Sequence, residues 1–169
     1  MRPLLLIVFL IPGVTAKLFG QYKVWGTKRI AISEKWSSTQ KAGSTVYSNY
    51  NMKNEPSVQL TLFDPFPFEG KPDTLLPGLW MQYNPDWPTA VPVPRPRRLY
   101  TDAGEMFWQA QGEAKTEKGT FFRQVTLFCT EGVAQVAVLQ LESLAAYRLT
   151  QSFWQEKWAA VVPMKTGKK

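Results

Sequence analysis

Hydrophobic and polar positions alternate most cleanly along residues 57–64, SVQLTLFD. There Val58, Leu60 and Leu62 share one side, with Gln59 and Thr61 opposite. A period of two marks a strand with one face buried. The same pattern predicts short strands at residues 18–25 and 28–33, joined by a tight hairpin at Gly26-Thr27. Their apolar positions are Tyr22, Val24, Ile30 and Ile32. The polar stretch 37–44 reads as a loop, and Val46, Tyr47, Tyr50 and Met52 predict a strand over 45–52. Residues 105–114, 120–129 and 133–141 predict an antiparallel meander with turns at 115–119 and 130–132. The last of these, VAQVAVLQL, is apolar on both faces, which predicts a central strand covered from both sides.

Two helices complete the pattern. Ser143 is placed to cap a helix over 144–162, ended by Pro163. Its apolar arc is read as Ala146, Tyr147, Leu149, Phe153, Trp154, Trp158, Ala160 and Val161. Lys157 intrudes on that arc and would extend its head to water. Earlier, nine prolines punctuate residues 65–96. Within that stretch residues 73–84 predict one irregular helix or two turns around Pro77-Gly78. Asp73 would be the cap, and Leu75, Leu76, Leu79 and Trp80 the docking face. Residues 84–98 follow as an irregular surface excursion that prolines hold in shape. Strands, a Pro-rich helical segment, three strands and a long terminal helix make an α+β protein. Its antiparallel sheet is covered by that helix.

The first sixteen residues read differently. Met1-Arg2-Pro3 is followed by LLLIVFLI, eight apolar residues, then Pro12-Gly13 and the small residues Val14-Thr15-Ala16. This predicts a secretory signal cleaved after Ala16. The apolar run is too short to span a bilayer. A buried N-terminal strand or an uncleaved anchor is the alternative. The expected organisation is a signal at 1–16, one α+β domain at 17–164 and a basic tail at 165–169. The protein would be periplasmic or secreted, with no stable membrane span after cleavage.

Composition narrows the chemistry. With no His and one Cys in 169 residues, Ser-His-Asp and Cys-His catalysis, His-containing zinc sites and an intrachain disulfide are all excluded. Cys129, inside the apolar run VTLFC, reads as a small buried hydrophobe, or else as an intermolecular disulfide or reactive thiol. General acid–base work would fall to carboxylates such as Asp102 with Glu105, or Glu113 with Glu117. Both pairs sit where solvated turns put carboxylates. No loop has the acidic density of a calcium site, and no cofactor is expected. The net charge of +7 is uneven. Residues 17–53 hold seven basic and one acidic side chain, Arg95, Arg97 and Arg98 cluster among prolines, and three lysines end the chain. The arginines suit bidentate binding of carboxylate, phosphate or sulfate, with Trp87 nearby as a flat contact. The other readings are a solvated basic loop and a polyproline II ligand. The expected partner is a protein or an anionic surface. Nucleic acid fits less well, because the aromatics fall at inward positions.

Several stretches together resemble the small exported bacterial proteins of PsbP/DcrB-like fold. They are the hairpin near Trp25, the strand SVQLTLFD and the turn at Thr101-Asp102-Ala103-Gly104 leading into WQAQGEA. FRQVTLFC, GVAQVAVLQLES and the helix AYRLTQSFWQEKW complete the series. The resemblance runs from about Gly20 to Val162 and implies an α/β/α sandwich. It also implies a non-enzyme that binds other macromolecules, with no catalytic residues to carry over. The expectation is an exported, non-catalytic binding or assembly module. The alternatives are a carboxylate-dependent hydrolase of glycan or cell wall, and a structural subunit of a secretion or conjugation apparatus.

Overall fold

The apolar run of residues 133–141 takes the central place that its two-sided pattern predicts. In a computed structural model describing residues 21–50, 56–85, 87–88, 91–116 and 119–164, it is strand β10 (Val133–Leu141), hydrogen-bonded to a neighbour on each side. Residues 1–16, where a signal is expected, and the basic tail lie outside the described residues. β8 (Met106–Thr116), β9 (Gly119–Thr130) and β10 form the expected meander, with Trp108 opposite Leu127 and Val136 opposite Leu127 on the far side. The β9–β10 turn runs through Glu131 and Gly132 at φ 52° and 77°. Two successive left-handed residues match the right-handed twist of the strands they join. On the other side of β10 lies β5 (Pro56–Phe63), then β4 (Ser44–Tyr50) and β3 (Ser37–Lys41) at one edge. β7 (Arg97–Tyr100) forms the opposite edge, and the two-residue β6 (Phe66–Pro67) pairs with the start of β10.

β3 corrects the loop expected at residues 37–44. All five of its residues are exposed, so hydropathy carries no strand signal. Backbone pairing with β4, from Ser37↔Ser48 to Lys41↔Ser44, supplies what side-chain burial does not.

One face of the sheet packs against helix α1 (Pro72–Tyr83) and the Pro-rich segment. That core holds Leu76, Leu79, Trp80, Trp87, Val125, Leu127, Ala134 and Val136. Pro72 opens the helix, where a missing N–H costs nothing. Asp73 lies in the first turn and does not cap it; Lys71 is the N-cap and gives no side-chain bond. The helix stays continuous through Pro77. Gly112 on β8 makes room beneath: a Cβ there would lie 3.0 Å from the Trp87 ring and 3.1 Å from Pro94.

The other face packs against helix α2 (Leu144–Ala159) and the hairpin of β1 (Gln21–Trp25) and β2 (Lys28–Ile32). Ser143 caps α2 as expected, its Oγ accepting from the Ala146 N–H at 3.1 Å. The helix stops short of Pro163. After Ala160 the chain straightens, buries Val161, and pairs Val162–Pro163 (β11) with β2. The buried stripe is Tyr147, Trp154, Lys157 and Trp158. Leu149 is 87% exposed and Phe153 44%, which corrects the broad arc read from the sequence. At 100° per residue Leu149 stands opposite Trp158. Lys157 is also corrected. Its head does not reach water, and its Nζ donates to the Ala31 carbonyl at 2.6 Å. In the hairpin Ile30 and Ile32 turn inward, but Tyr22 and Val24 are exposed. These two share the outer face of a sheet whose inner face meets the core.

Polar clasps hold the hairpin to the sheet. Trp25 Nε1 donates to the Phe63 carbonyl at 2.8 Å, Thr27 Oγ1 to Gln135 Oε1 at 2.7 Å, and Gln135 Nε2 to the Trp25 carbonyl. Gly26 is required twice: its φ is +56°, and a Cβ would meet Gln135 Nε2 at 2.5 Å. At the end of the sheet Lys28, 1% exposed, pairs with Glu105, and its Nζ also reaches Thr130 Oγ1 at 3.1 Å. Thr130 in turn donates to Glu105 Oε1.

Two predictions follow from these buried charges. Removing one partner of a buried pair costs about 3–5 kcal/mol. Because Glu105 keeps 15% exposure, Glu105→Ala is expected at the lower end, about 3 kcal/mol. Urea unfolding measures this, and the double variant Lys28→Met/Glu105→Leu should recover most of the loss. An unchanged midpoint in Glu105→Ala would show that Lys28 is solvated without its partner. Separately, burial holds the Lys157 ammonium below the ordinary lysine value. The unfolded chain binds that proton more tightly, so this group adds stability as pH rises from its depressed value toward the ordinary one. Burial raises Cys129, Tyr47, Tyr83 and Tyr147, which act in the opposite sense. The measurement is therefore the difference from Lys157→Met. The parent should gain on the variant as pH rises toward the ordinary lysine value of about 10, and a constant difference would refute the shift.

Candidate functional site

The proline-bracketed arginines sit where the Pro-rich excursion re-enters the sheet. Arg95 is exposed in the irregular approach, and Arg97 and Arg98 are the first residues of edge strand β7. Pleating sends Arg97 and Leu99 to the α2 side and Arg98 to the α1 side. Their partners agree: Phe107, opposite Leu99, lies in the α2-side core, and Trp108, opposite Arg98, packs against the α1-side core. All four residues of β7 are exposed. Among the described residues none of the three guanidinium groups forms an ion pair.

Trp87 does not join them at the surface. It is 6% exposed, packs edge-on against Trp80 with centroids 5.0 Å apart, and donates from Nε1 to the Val91 carbonyl at 3.0 Å. It anchors the segment that delivers the arginines; it is not the flat contact expected from the sequence.

Beside β7 on the α2 side runs a groove of about 220 Å³, lined by Leu99, Tyr100, Phe107, Gln109, Gln155 and Trp158. Gln109 is held in its floor by a 3.2 Å bond to Thr126. Farther along this face the Tyr147 hydroxyl donates to Gln111 at 3.1 Å. Burial raises that phenol's pKa, and the Arg97 charge opposes the rise. The turn Thr101–Gly104 closes the edge. The Thr101 N–H donates to the Glu105 carbonyl at 2.8 Å, and the Asp102 N–H to the Ala159 carbonyl at 2.8 Å. Sequence reasoning found the arginines but not the groove. Trp158 and Gln155 come from a helix some fifty residues later, and only their docking brings them to β7.

The carboxylates considered for hydrolysis are not gathered. Asp102 and Glu113 are exposed, Glu105 is neutralised by Lys28, and Glu117 lies outside the described residues. Among the described residues no three His, Cys, Asp or Glu side chains are placed to hold a metal. Cys129 is half-buried against the α1-side core. Burial pushes its thiol up to about 11 against the opposing Lys28 charge. It is therefore protonated and a poor nucleophile at neutral pH. Among the described residues no helix is long and apolar enough to cross a membrane.

No family model and no curated protein sequence matches the chain. Solved structures do match. A Bacteroides thetaiotaomicron protein aligns with a TM-score of 0.59 at 10% identity, over 89% of this chain and 51% of its own; this chain thus spans about half its length. Cyanobacterial PsbP (CyanoP) from Synechocystis aligns at 0.56 with 6% identity, over 81% of this chain and 86% of its own. The Saccharomyces cerevisiae Ran-binding protein Mog1p aligns at 0.52 with 10% identity, over 83% and 92%. Identities this low speak for architecture alone. With antiparallel strands in one large sheet, a helix on each face and this similarity to CyanoP, the chain has the PsbP-like α+β fold.

Proposed function

We propose that this protein is an exported, non-catalytic binding module that takes an anionic protein partner on the β7 edge and the groove beside it. The observation that carries the reading is the juxtaposition of Arg95, Arg97 and Arg98, none of them ion-paired among the described residues, with an apolar groove. Guanidinium groups left without partners on an ordered edge are poised for carboxylates. The groove adds the apolar contact that a charged rim alone lacks. Two further points support the reading. Among the described residues the carboxylates considered for hydrolysis are dispersed or neutralised, and a protein of similar fold, Mog1p, is named for binding a protein. Export rests on the N-terminal segment LLLIVFLI and the small residues before Lys17.

The test uses fluorescein-labelled octaglutamate and anisotropy. The parent protein should bind it, and added salt should weaken the binding. Arg95→Ser/Arg97→Ser/Arg98→Ser should weaken it at least tenfold with an unchanged thermal midpoint. Equal binding by the triple variant would dismiss this edge as the site. Export is tested by sequencing the N-terminus of protein recovered outside the cytoplasm of a producing bacterium. A start at Lys17 is expected, and a retained Met1 would refute cleavage.

A further inference from the structure

The backbone of β7 specifies how such a partner would bind. The Thr101 N–H donates to Glu105. In an antiparallel ladder, bonded and non-bonded pairs alternate. With Leu99 opposite Phe107 and Arg97 opposite Gln109, those two residues also face β8. Arg98 and Tyr100 therefore turn their N–H and C=O groups away from the sheet. β7 is the last strand in its order. The next outward position is Pro96, which has no N–H to offer. The open ladder is thus short, bounded by Pro96 at one end and the Thr101–Gly104 turn at the other.

We infer that the β7 edge binds its partner by strand addition, pairing an extended acidic segment with the free backbone groups of Arg98 and Tyr100. This rests on the anion-binding reading and adds a geometry to it. An added strand carries side chains alternately to the two faces. Opposite Arg98 it meets a cation on the α1 side. Opposite Arg97 and Leu99 it meets a cation and then the groove, both on the α2 side. An antiparallel segment that satisfies all three reads apolar, acidic, acidic. A second copy of this chain is a poor occupant, because pairing two β7 edges would gather Arg97 and Arg98 of both copies at one seam, four like charges with no carboxylate among them. The other edge, β3, is fully exposed too, but its sequence SSTQK brings one cation.

The probe is a fluorescein-labelled peptide with a Leu-Glu-Glu core between Thr-Val flanks, compared with the same peptide N-methylated at alternate backbone nitrogens. Methylation keeps the charge and removes ladder donors. The parent protein should bind the unmethylated form at least tenfold better, and replacing the core leucine by glycine should weaken it severalfold. Equal binding of both peptides, lost in Arg95→Ser/Arg97→Ser/Arg98→Ser, overturns strand addition and leaves anion binding standing. Failure of both peptides while octaglutamate still binds has the same meaning. Failure of all three probes overturns both readings. A concentration-dependent dimer in sedimentation that Tyr100→Pro abolishes would show the edge occupied by a second copy, and would also overturn the proposal.

Discussion

The structure depends on the burial of β10 from both sides. Ala134 and Val136 on one face and Ala137, Leu139 and Leu141 on the other are all at most 1% exposed. An apolar strand in the middle of a sheet can be kept from water only if each face is covered by a separate layer. α1 and the Pro-rich segment cover one face; α2 and the β1–β2 hairpin cover the other. The two covers are unlike because the chain around them is unlike. The first is a short helix extended by prolines and tryptophans, and the second is a long capped helix flanked by two short strands.

The α2-side interface carries more polar groups than a simple hydrophobic layer would. Gln109, Gln124, Thr126, Gln135 and Lys28 are all under 8% exposed. Most of their bonds close on one another: Gln109 and Gln124 to Thr126, Gln135 to Trp25 and Thr27, Lys28 to Glu105 and Thr130. Buried polar groups are tolerated when they are satisfied, and each satisfied pair admits one arrangement of the layers. Here they key the hairpin to the strand ends, fixing which residues of β2 lie over which residues of the sheet. They also fix the end of the sheet where β7 turns into β8. The edge proposed for binding is therefore mounted on a rigid corner.

That edge is a product of the Pro-rich excursion. Trp87, seated on Trp80 above Gly112, pins the excursion to the α1-side face. From there Pro92, Pro94 and Pro96 carry the chain to the outside of β8 with little conformational freedom to lose. A short edge flanked by proline and bearing arginine resists pairing with its own kind. The same features underlie the proposal of a partner of opposite charge.

The elements with strong periodicity were legible from the sequence alone. The meander, the central place of VAQVAVLQL, the Ser143 cap and the Gly26-Thr27 hairpin each rest on local physics: alternation, a side-chain oxygen before a helix, a residue free to adopt positive φ. The lack of histidine, too, excluded whole classes of catalysis from composition alone. What tertiary structure decided has no local signal. β3 is a strand only because β4 offers its backbone, and Val162–Pro163 leave the helix because β2 offers an edge. Lys157 is buried because the Ala31 carbonyl is waiting for it. Trp87 turns inward because Gly112, twenty-five residues on, leaves it room. The groove beside Arg97 exists because α2 sets Trp158 and Gln155 against β7. In each case the deciding partner is distant in sequence, so the energy that settles the residue's place belongs to a contact that only the folded chain makes.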